Sequence, residues 1–164
     1  MKCNLIIISV LVPFVIVWII TLLLAFNKYS KIDKDLLRKD YVLKKAVGRS
    51  RTWLISTTFW MLAEYLFIII PFVSNVIVIY SSVSTTNNPD SITVYSIISL
   101  SFIVFGFAIK PQNHKKCYRK AYSLMDKEIN KYLVSVEGDN SDKNALIGAI
   151  KDGEGFIDLS YDIE

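Results

Sequence analysis

Three long apolar stretches alternate with polar segments along the chain, at residues 4–26, 53–80 and 92–109. Each is long enough for an α-helix to cross about 30 Å of hydrocarbon, which takes about 20 residues. Glu64 is the only acidic or basic residue within them. The first stretch also exceeds the roughly 7–15 apolar residues of a signal peptide, so we expect it to be retained. The pattern predicts three transmembrane helices.

The polar segments at 27–52 and 110–136 carry a helical pattern of their own. Apolar residues fall at helical spacing in the first (Ile32, Leu36, Leu43 and Val47) and in the second (Cys117, Ala121, Met125, Ile129, Tyr132 and Val136). Such spacing predicts amphipathic helices. We expect the second helix to pack on the first, or on its own copy in another subunit.

The C-terminal tail at 137–164 ends in alternation. Ile157, Leu159, Tyr161 and Ile163 interleave with polar residues. This period of two predicts a short half-buried strand, which must join a sheet edge, dock on a partner or stay disordered. These four residues are therefore candidates for binding a partner protein.

The predicted fold class is an all-α membrane protein with amphipathic cytoplasmic helices and a short C-terminal strand. Its segments are an N-terminal transmembrane helix (1–26), a basic cytoplasmic helical linker (27–52), a transmembrane hairpin (53–109), a cytoplasmic amphipathic helix (110–136) and an acidic tail (137–164). At 52% hydrophobic residues, the composition exceeds the roughly 45–50% of ordinary globular chains.

The basic residues predict the orientation of the spans. Lys and Arg number one before the first span, nine in 27–52, none in 81–91 and nine from 110 onward. Because basic flanks are retained in the cytoplasm, we expect the N-terminus outside and the C-terminus inside. Contact with anionic lipid, at about 1 kcal/mol per cation, is expected for the basic residues nearest the membrane. They are Lys44, Lys45, Arg49, Arg51, Lys110, Lys115, Lys116, Arg119 and Lys120. For the cluster that begins the tail at Lys110, contact with a nucleotide is the more specific alternative to contact with lipid. No direct nucleic-acid binding is expected.

Polar residues in the second span form one stripe. Thr57, Glu64, Pro71 and Asn75 are seven, seven and four residues apart. A carboxylate in hydrocarbon is expensive, so Glu64 should face a bundle interior or a pore, unless it lies near the cytoplasmic surface. In the third span, Ser96, Ser99 and Gly106 are small residues suited to close helix packing.

The chemistry of an enzyme is not apparent in the sequence. It contains no Gly-rich phosphate loop and no serine nucleophile elbow, and His114 near Cys117 supplies only one pair of potential zinc ligands. We therefore predict no catalytic residues, no metal site and no cofactor.

Residues 42–133 resemble the SLATT (SMODS and SLOG-associating two-transmembrane effector) domain. The similarity rests on the basic entry Arg49-Ser50-Arg51-Thr52-Trp53, the Ile70-Pro71 step, the short outer loop and the exit at 111–119. The extra span at 4–26 departs from the two-helix pattern. The resemblance implies an effector of bacterial antiphage defence that oligomerises and permeabilises or depolarises the inner membrane.

Two further expectations concern activation. The resemblance implies a trigger from a cytoplasmic protein encoded nearby, or from a cyclic nucleotide signal that acts through a partner.

The alternative to a membrane-permeabilising effector is a membrane-anchored scaffold or sensor that recruits a cytoplasmic effector through its tail. An accessory transporter subunit is a third alternative. Both main hypotheses imply a homo-oligomer, because three helices cannot enclose an aqueous path.

Overall fold

The computed structural model of the protein describes residues 2–83, 89–137 and 143–161. Within these residues there are six α-helices and no strand. The helices are α1 (Lys2–Lys28), α2 (Lys34–Lys39), α3 (Tyr41–Val83), α4 (Pro89–Ile109), α5 (Pro111–Glu137) and α6 (Lys143–Asp158). The all-α prediction is confirmed for this part of the chain.

The predicted C-terminal strand is wrong. Ile157 lies in the last turn of α6, Leu159 and Tyr161 lie in the turn that follows, and Ile163 lies outside the described residues. The longer pattern of the tail is helical, because Leu146, Ala149, Ile150 and Gly153 recur at steps of three, one and three residues, and all four are buried. One buried helical face outweighs a short alternation, since a lone strand has no ladder to join.

Short-range chemistry sets two of the helix boundaries. Asp40 separates α2 from α3, where its carboxylate accepts hydrogen bonds from the backbone N–H groups of Val42 and Leu43 at 3.0 and 3.1 Å. This is the geometry of an N-cap. At the other boundary, the N–H of Lys110 donates to the carbonyl of Gly106 at 3.2 Å, and Lys110 takes a left-handed φ of 49°. Pro111 then begins α5, a position at which its missing N–H is not needed.

The chain divides into two compact units, which we call the bundle unit (Met1–Phe59 with Asn113–Glu164) and the hairpin unit (Trp60–Gln112). The bundle unit holds the buried apolar core. Its members are Tyr29, Leu43, Ala46, Val47, Trp53, Ala121, Met125, Ile129, Tyr132, Leu146, Ala149 and Ile150. The predicted stripe on α5 thus packs with the predicted stripe of 27–52, as expected. The side chain of Val136 lies outside the described part.

The hairpin unit contains α4 and the apolar part of α3. Both helices are long and apolar enough to cross a membrane. In their most apolar 18-residue segments, only 11% of the residues in α3 and 6% in α4 are buried within the chain. Among the described residues of α1, the apolar helical segment is Val15–Lys28, which is shorter than a membrane span. Within the described residues, two helices therefore have the length and composition of a transmembrane helix.

Candidate functional site

The polar stripe of the second predicted span does not share one environment. Thr57, in the bundle unit, is half-buried, and its hydroxyl donates to the carbonyl of Trp53 at 2.7 Å. In the hairpin unit, Glu64 is half-buried, Pro71 is buried within α3 and Asn75 is exposed. Thr57 therefore bonds its own helix, whereas the amide of Asn75 faces outward from an apolar segment.

Small side chains let α3 and α4 approach closely in the hairpin unit. A Cβ atom at Gly106 would lie 3.3 Å from Cβ and Cγ of Phe67, and the rings of Phe67 and Phe102 are 5.9 Å apart. Ser99 is buried, whereas Ser96 is exposed. Of the three predicted packing residues, the structure thus places Ser99 and Gly106 inside the hairpin and Ser96 on its surface.

Ser74 is a buried polar residue of the hairpin that sequence reasoning missed, with 4% of its surface exposed. It lies seven residues after Phe67 and three after Pro71, so it shares their face of α3. This spacing was the signal that could have identified it.

A polar network ties α1, α3 and α5 together inside the bundle unit. The hydroxyl of Tyr29 donates to Oδ1 of Asp126 at 2.7 Å and accepts from Oγ of Ser50 at 2.7 Å. Lys28 pairs with the same Asp126 oxygen at 2.9 Å and also bonds the hydroxyl of Tyr122. Burial raises the pKa of Tyr29, so the phenol stays protonated and serves as a donor. Sequence reasoning missed this network, although Ser50 shares its helix face with Leu43 and Trp53.

Asp40 forms a second polar junction in the bundle unit. Besides capping α3, its carboxylate accepts a hydrogen bond from the hydroxyl of Tyr132 and lies 3.3 Å from Nζ of Lys143. Burial alone would raise the pKa of Asp40, but the bonds from Tyr132 and the N–H of Leu43, together with Lys143, hold it below its ordinary value. The junction links the start of α3 to α5 and α6.

Helix α6 is docked tightly on α3. Gly153 faces the indole of Trp53, which is 2% exposed, so closely that a Cβ atom there would lie 2.5 Å from Cζ3. Glu154 pairs with Arg49 at 2.9 Å on the same side. Only glycine allows this approach, so α6 covers Trp53, the residue at which the sequence begins its second apolar stretch.

The last turn of the described chain is held by His114 at the start of α5. Nδ1 of His114 lies 2.9 Å from Oγ of Ser160, which itself donates to the carbonyl of Ile157 at 2.6 Å. The ring of His114 also lies 4.7 Å from that of Tyr161. His114, a zinc candidate only in combination with Cys117, therefore has a packing role here. Among the described residues, no group of three His, Cys, Asp or Glu side chains is placed to hold a metal ion.

The three described candidates for partner binding do not form one surface, and Ile163 lies outside the described residues. Ile157 packs against the buried core, whereas Leu159 and Tyr161 are 58% and 60% exposed. Burial and the hydrogen bond to Tyr161 raise the pKa of Tyr118 to about 12, and the two hydroxyls are 3.4 Å apart. Of the three described candidates, only Leu159 and Tyr161 are exposed.

The nine basic residues expected to contact lipid differ in their surroundings. Some of them interact within the chain: Arg49 pairs with Glu154, the guanidinium of Arg51 lies 5.9 Å from the rings of Phe26 and Tyr29, and Nζ of Lys120 lies 4.0 Å from the centre of the Phe156 ring. Arg51 and Lys115 are half-buried. The exposed members are Lys44, Lys45, Arg49, Lys110, Lys116, Arg119 and Lys120.

Comparison with known proteins adds no relative: no protein-family model, no curated protein and no solved structure matches the chain.

Proposed function

We propose that this protein is a membrane effector of a bacterial antiphage defence system. It crosses the inner membrane three times, with its N-terminus outside and the segments 27–52 and 110–164 in the cytoplasm. On activation by a partner or a nucleotide signal it oligomerises and permeabilises or depolarises the membrane. The resemblance of residues 42–133 to the SLATT domain supports the defence context.

The exposed apolar surface supports membrane insertion. The core helix of a soluble protein is mostly buried, whereas only 11% of the residues in the most apolar segment of α3 and 6% in that of α4 are buried. Phe72, Ile79 and Phe107 are 65% to 78% exposed. Lipid would cover these side chains, and the basic segments at 27–52 and 110–136 favour a cytoplasmic position for both segments.

The observation that carries the proposal is the continuity of α3. This single helix of 43 residues supplies Leu43, Val47 and Trp53 to the bundle core and then carries Glu64 and Asn75 in its apolar part. At 1.5 Å per residue it is about 65 Å long, roughly twice the hydrocarbon thickness. In the proposed mechanism, a change in the packing of the bundle acts on the span through α3.

The position of α6 supports a release mechanism. It covers Trp53 through Gly153 and pairs with Arg49, so it holds the cytoplasmic approach of α3. A partner that displaces α6 would expose the indole and free this part of α3. Activation would then be a change in a helix contact rather than a chemical reaction.

The exposed amide of Asn75 supports assembly of several copies. A polar side chain that faces hydrocarbon gains from a hydrogen bond across helices, and a second copy of α3 offers the same amide. A closed ring of hairpins is the simplest such assembly.

The test is the membrane potential of bacteria that express the full chain with its native genomic neighbours and are challenged with phage. A potential-sensitive dye should report depolarisation before lysis. Glu64→Leu and Asn75→Leu should abolish it while the protein remains in the membrane fraction. Lys34→Gln, an exposed change on α2, should leave it intact.

Two results would contradict the proposal. Infected cells that keep their potential would exclude a depolarising effector. Normal depolarisation by both Glu64→Leu and Asn75→Leu would show that the polar stripe takes no part in the mechanism. If the potential is unchanged but Leu159→Ser loses a cytoplasmic partner in a pull-down, the protein is the membrane-anchored scaffold instead.

A further inference from the structure

One face of α5 presents a row of cations that is open to solvent. Lys116, Arg119, Lys120 and Lys127 lie on this face, opposite the stripe that packs into the bundle core. Together with Ser123, Leu124 and Phe156 they line a shallow groove of about 520 Å³. Phe156 comes from α6 and forms one wall. The groove contains no acidic side chain among its lining residues.

The charges of this groove are not balanced within the described chain. Some other cations of the bundle unit have carboxylate partners: Lys28 with Asp126, Arg49 with Glu154 and Lys131 with Glu128. The two described acids in the middle of α5, Asp126 and Glu128, are thus used on its other faces. In the described part of the chain, none of the four groove cations forms an ion pair with a carboxylate.

The geometry of the groove suits an anion with more than one phosphate. Lys116 and Lys127 are eleven residues apart, which corresponds to about 16 Å along a helix. The planar guanidinium of Arg119 can bind phosphate oxygens in a bidentate manner. Lys120 is held with its Nζ 4.0 Å from the centre of the Phe156 ring, which fixes one cation at the wall of the groove.

We propose that this groove binds phosphate-bearing ligands through Lys116, Arg119, Lys120 and Lys127. The ligand chemistry has two sources, the headgroup of an anionic lipid and a soluble phosphate compound. Its test measures ligand binding and not membrane potential, so this proposal and the proposed depolarising function can fail separately.

The experiment uses the full chain in nanodiscs. In the first arm, the discs contain only phosphatidylcholine, and inorganic pyrophosphate is titrated in by isothermal calorimetry, with glutamate at equal ionic strength as a competitor. In the second arm, the discs contain phosphatidylglycerol, and hydrogen exchange of 116–127 is compared with that in phosphatidylcholine discs. Binding of pyrophosphate assigns a soluble ligand, and protection by phosphatidylglycerol alone assigns a lipid headgroup.

The decisive variant is Arg119→Gln with Lys127→Gln. Both side chains are exposed, so the fold should be retained, and binding should weaken roughly 30-fold. The matched control is Arg38→Gln with Lys34→Gln on α2, which removes the same charge from exposed positions and should change binding less than about twofold. The proposal is overturned if neither arm gives a signal, if glutamate competes as well as pyrophosphate, or if the control pair weakens binding as much as the groove pair.

Discussion

The contact between Gly153 and Trp53 gives the sharpest stability prediction. In Gly153→Ala the new methyl group would lie 2.5 Å from Cζ3 of an indole that is 2% exposed, so one of the two helices must shift. Overpacking of a close-fitting interior costs about 1–3 kcal/mol. Alanine also gains about 0.5–1 kcal/mol over glycine in a helix, which offsets part of that cost.

The same helix provides the control that separates these two effects. At Gly148 an added Cβ atom meets nothing within 4 Å, so Gly148→Ala gains the helix propensity alone. The difference between the two variants therefore isolates the overlap with Trp53. We expect α6 in Gly153→Ala to be less stable than α6 in Gly148→Ala by about 1–3 kcal/mol.

The assay is hydrogen exchange of 143–158 in the full chain, which reports the local opening of α6. The expected difference in protection between the two variants is roughly 5- to 150-fold. Trp53→Phe replaces the indole by a smaller ring that lacks the outer indole atoms in contact with Gly153, so it should relieve most of the penalty in a double-mutant cycle. Equal protection in Gly153→Ala and Gly148→Ala would refute the account of α6 docking.

Three further changes probe other contacts of the chain. Tyr29→Phe leaves the half-buried carboxylate of Asp126 short of one donor and should lower the free energy of unfolding by about 1–3 kcal/mol in a denaturant titration. Asp40→Asn should destabilise the bundle at neutral pH. Because the folded pKa of Asp40 lies below its unfolded value, the difference from wild type should be complete above about pH 4 and disappear as the pH falls through the folded pKa. Gly106→Leu places a bulky side chain against Phe67 and should cost about 1–3 kcal/mol, measured as lower thermal stability of the full chain in detergent; unchanged stability would contradict the close approach of α3 and α4.

Long, regular patterns made the helices predictable. The stripe through Ala121, Met125, Ile129 and Tyr132 predicted α5, and all four residues are at most 4% exposed. Periodicity over five turns has few competing explanations, since only a helix buries every third or fourth residue on one face. The apolar stretches behind α3 and α4 were predictable from their length and composition instead.

Short or mixed patterns misled the prediction at the tail. The alternation around Ile157 and Leu159 is brief, while the helical period of α6 begins earlier and includes Gly153, which an apolar pattern does not count. The burial of Gly153 depends on the indole of Trp53, one hundred residues away in the sequence. A contact of this kind cannot be derived from local spacing.

The polar junctions were unpredictable for a related reason. The bonds of Tyr29 to Asp126 and of Asp40 to Tyr132 join residues that are 97 and 92 positions apart. Each residue alone is typical of a solvent-exposed helix end or loop. Their pairing follows from how the bundle closes, which depends on the packing of all its apolar faces together.

The central proposal is a chain that crosses the membrane three times with the segments 27–52 and 110–164 in the cytoplasm. It is tested most directly by labelling single cysteines in intact bacteria with a membrane-impermeant maleimide. In one chain Cys3 is the only thiol, after Cys117→Ser. In two others, both native cysteines are serine and the probe is Asp90→Cys or Val134→Cys. Cys3 and the probe at 90 should label in intact cells, and the probe at 134, where the native side chain is 72% exposed, should label only after permeabilisation. Labelling of position 134 in intact cells, or failure of Cys3 to label while position 90 does, would contradict the account.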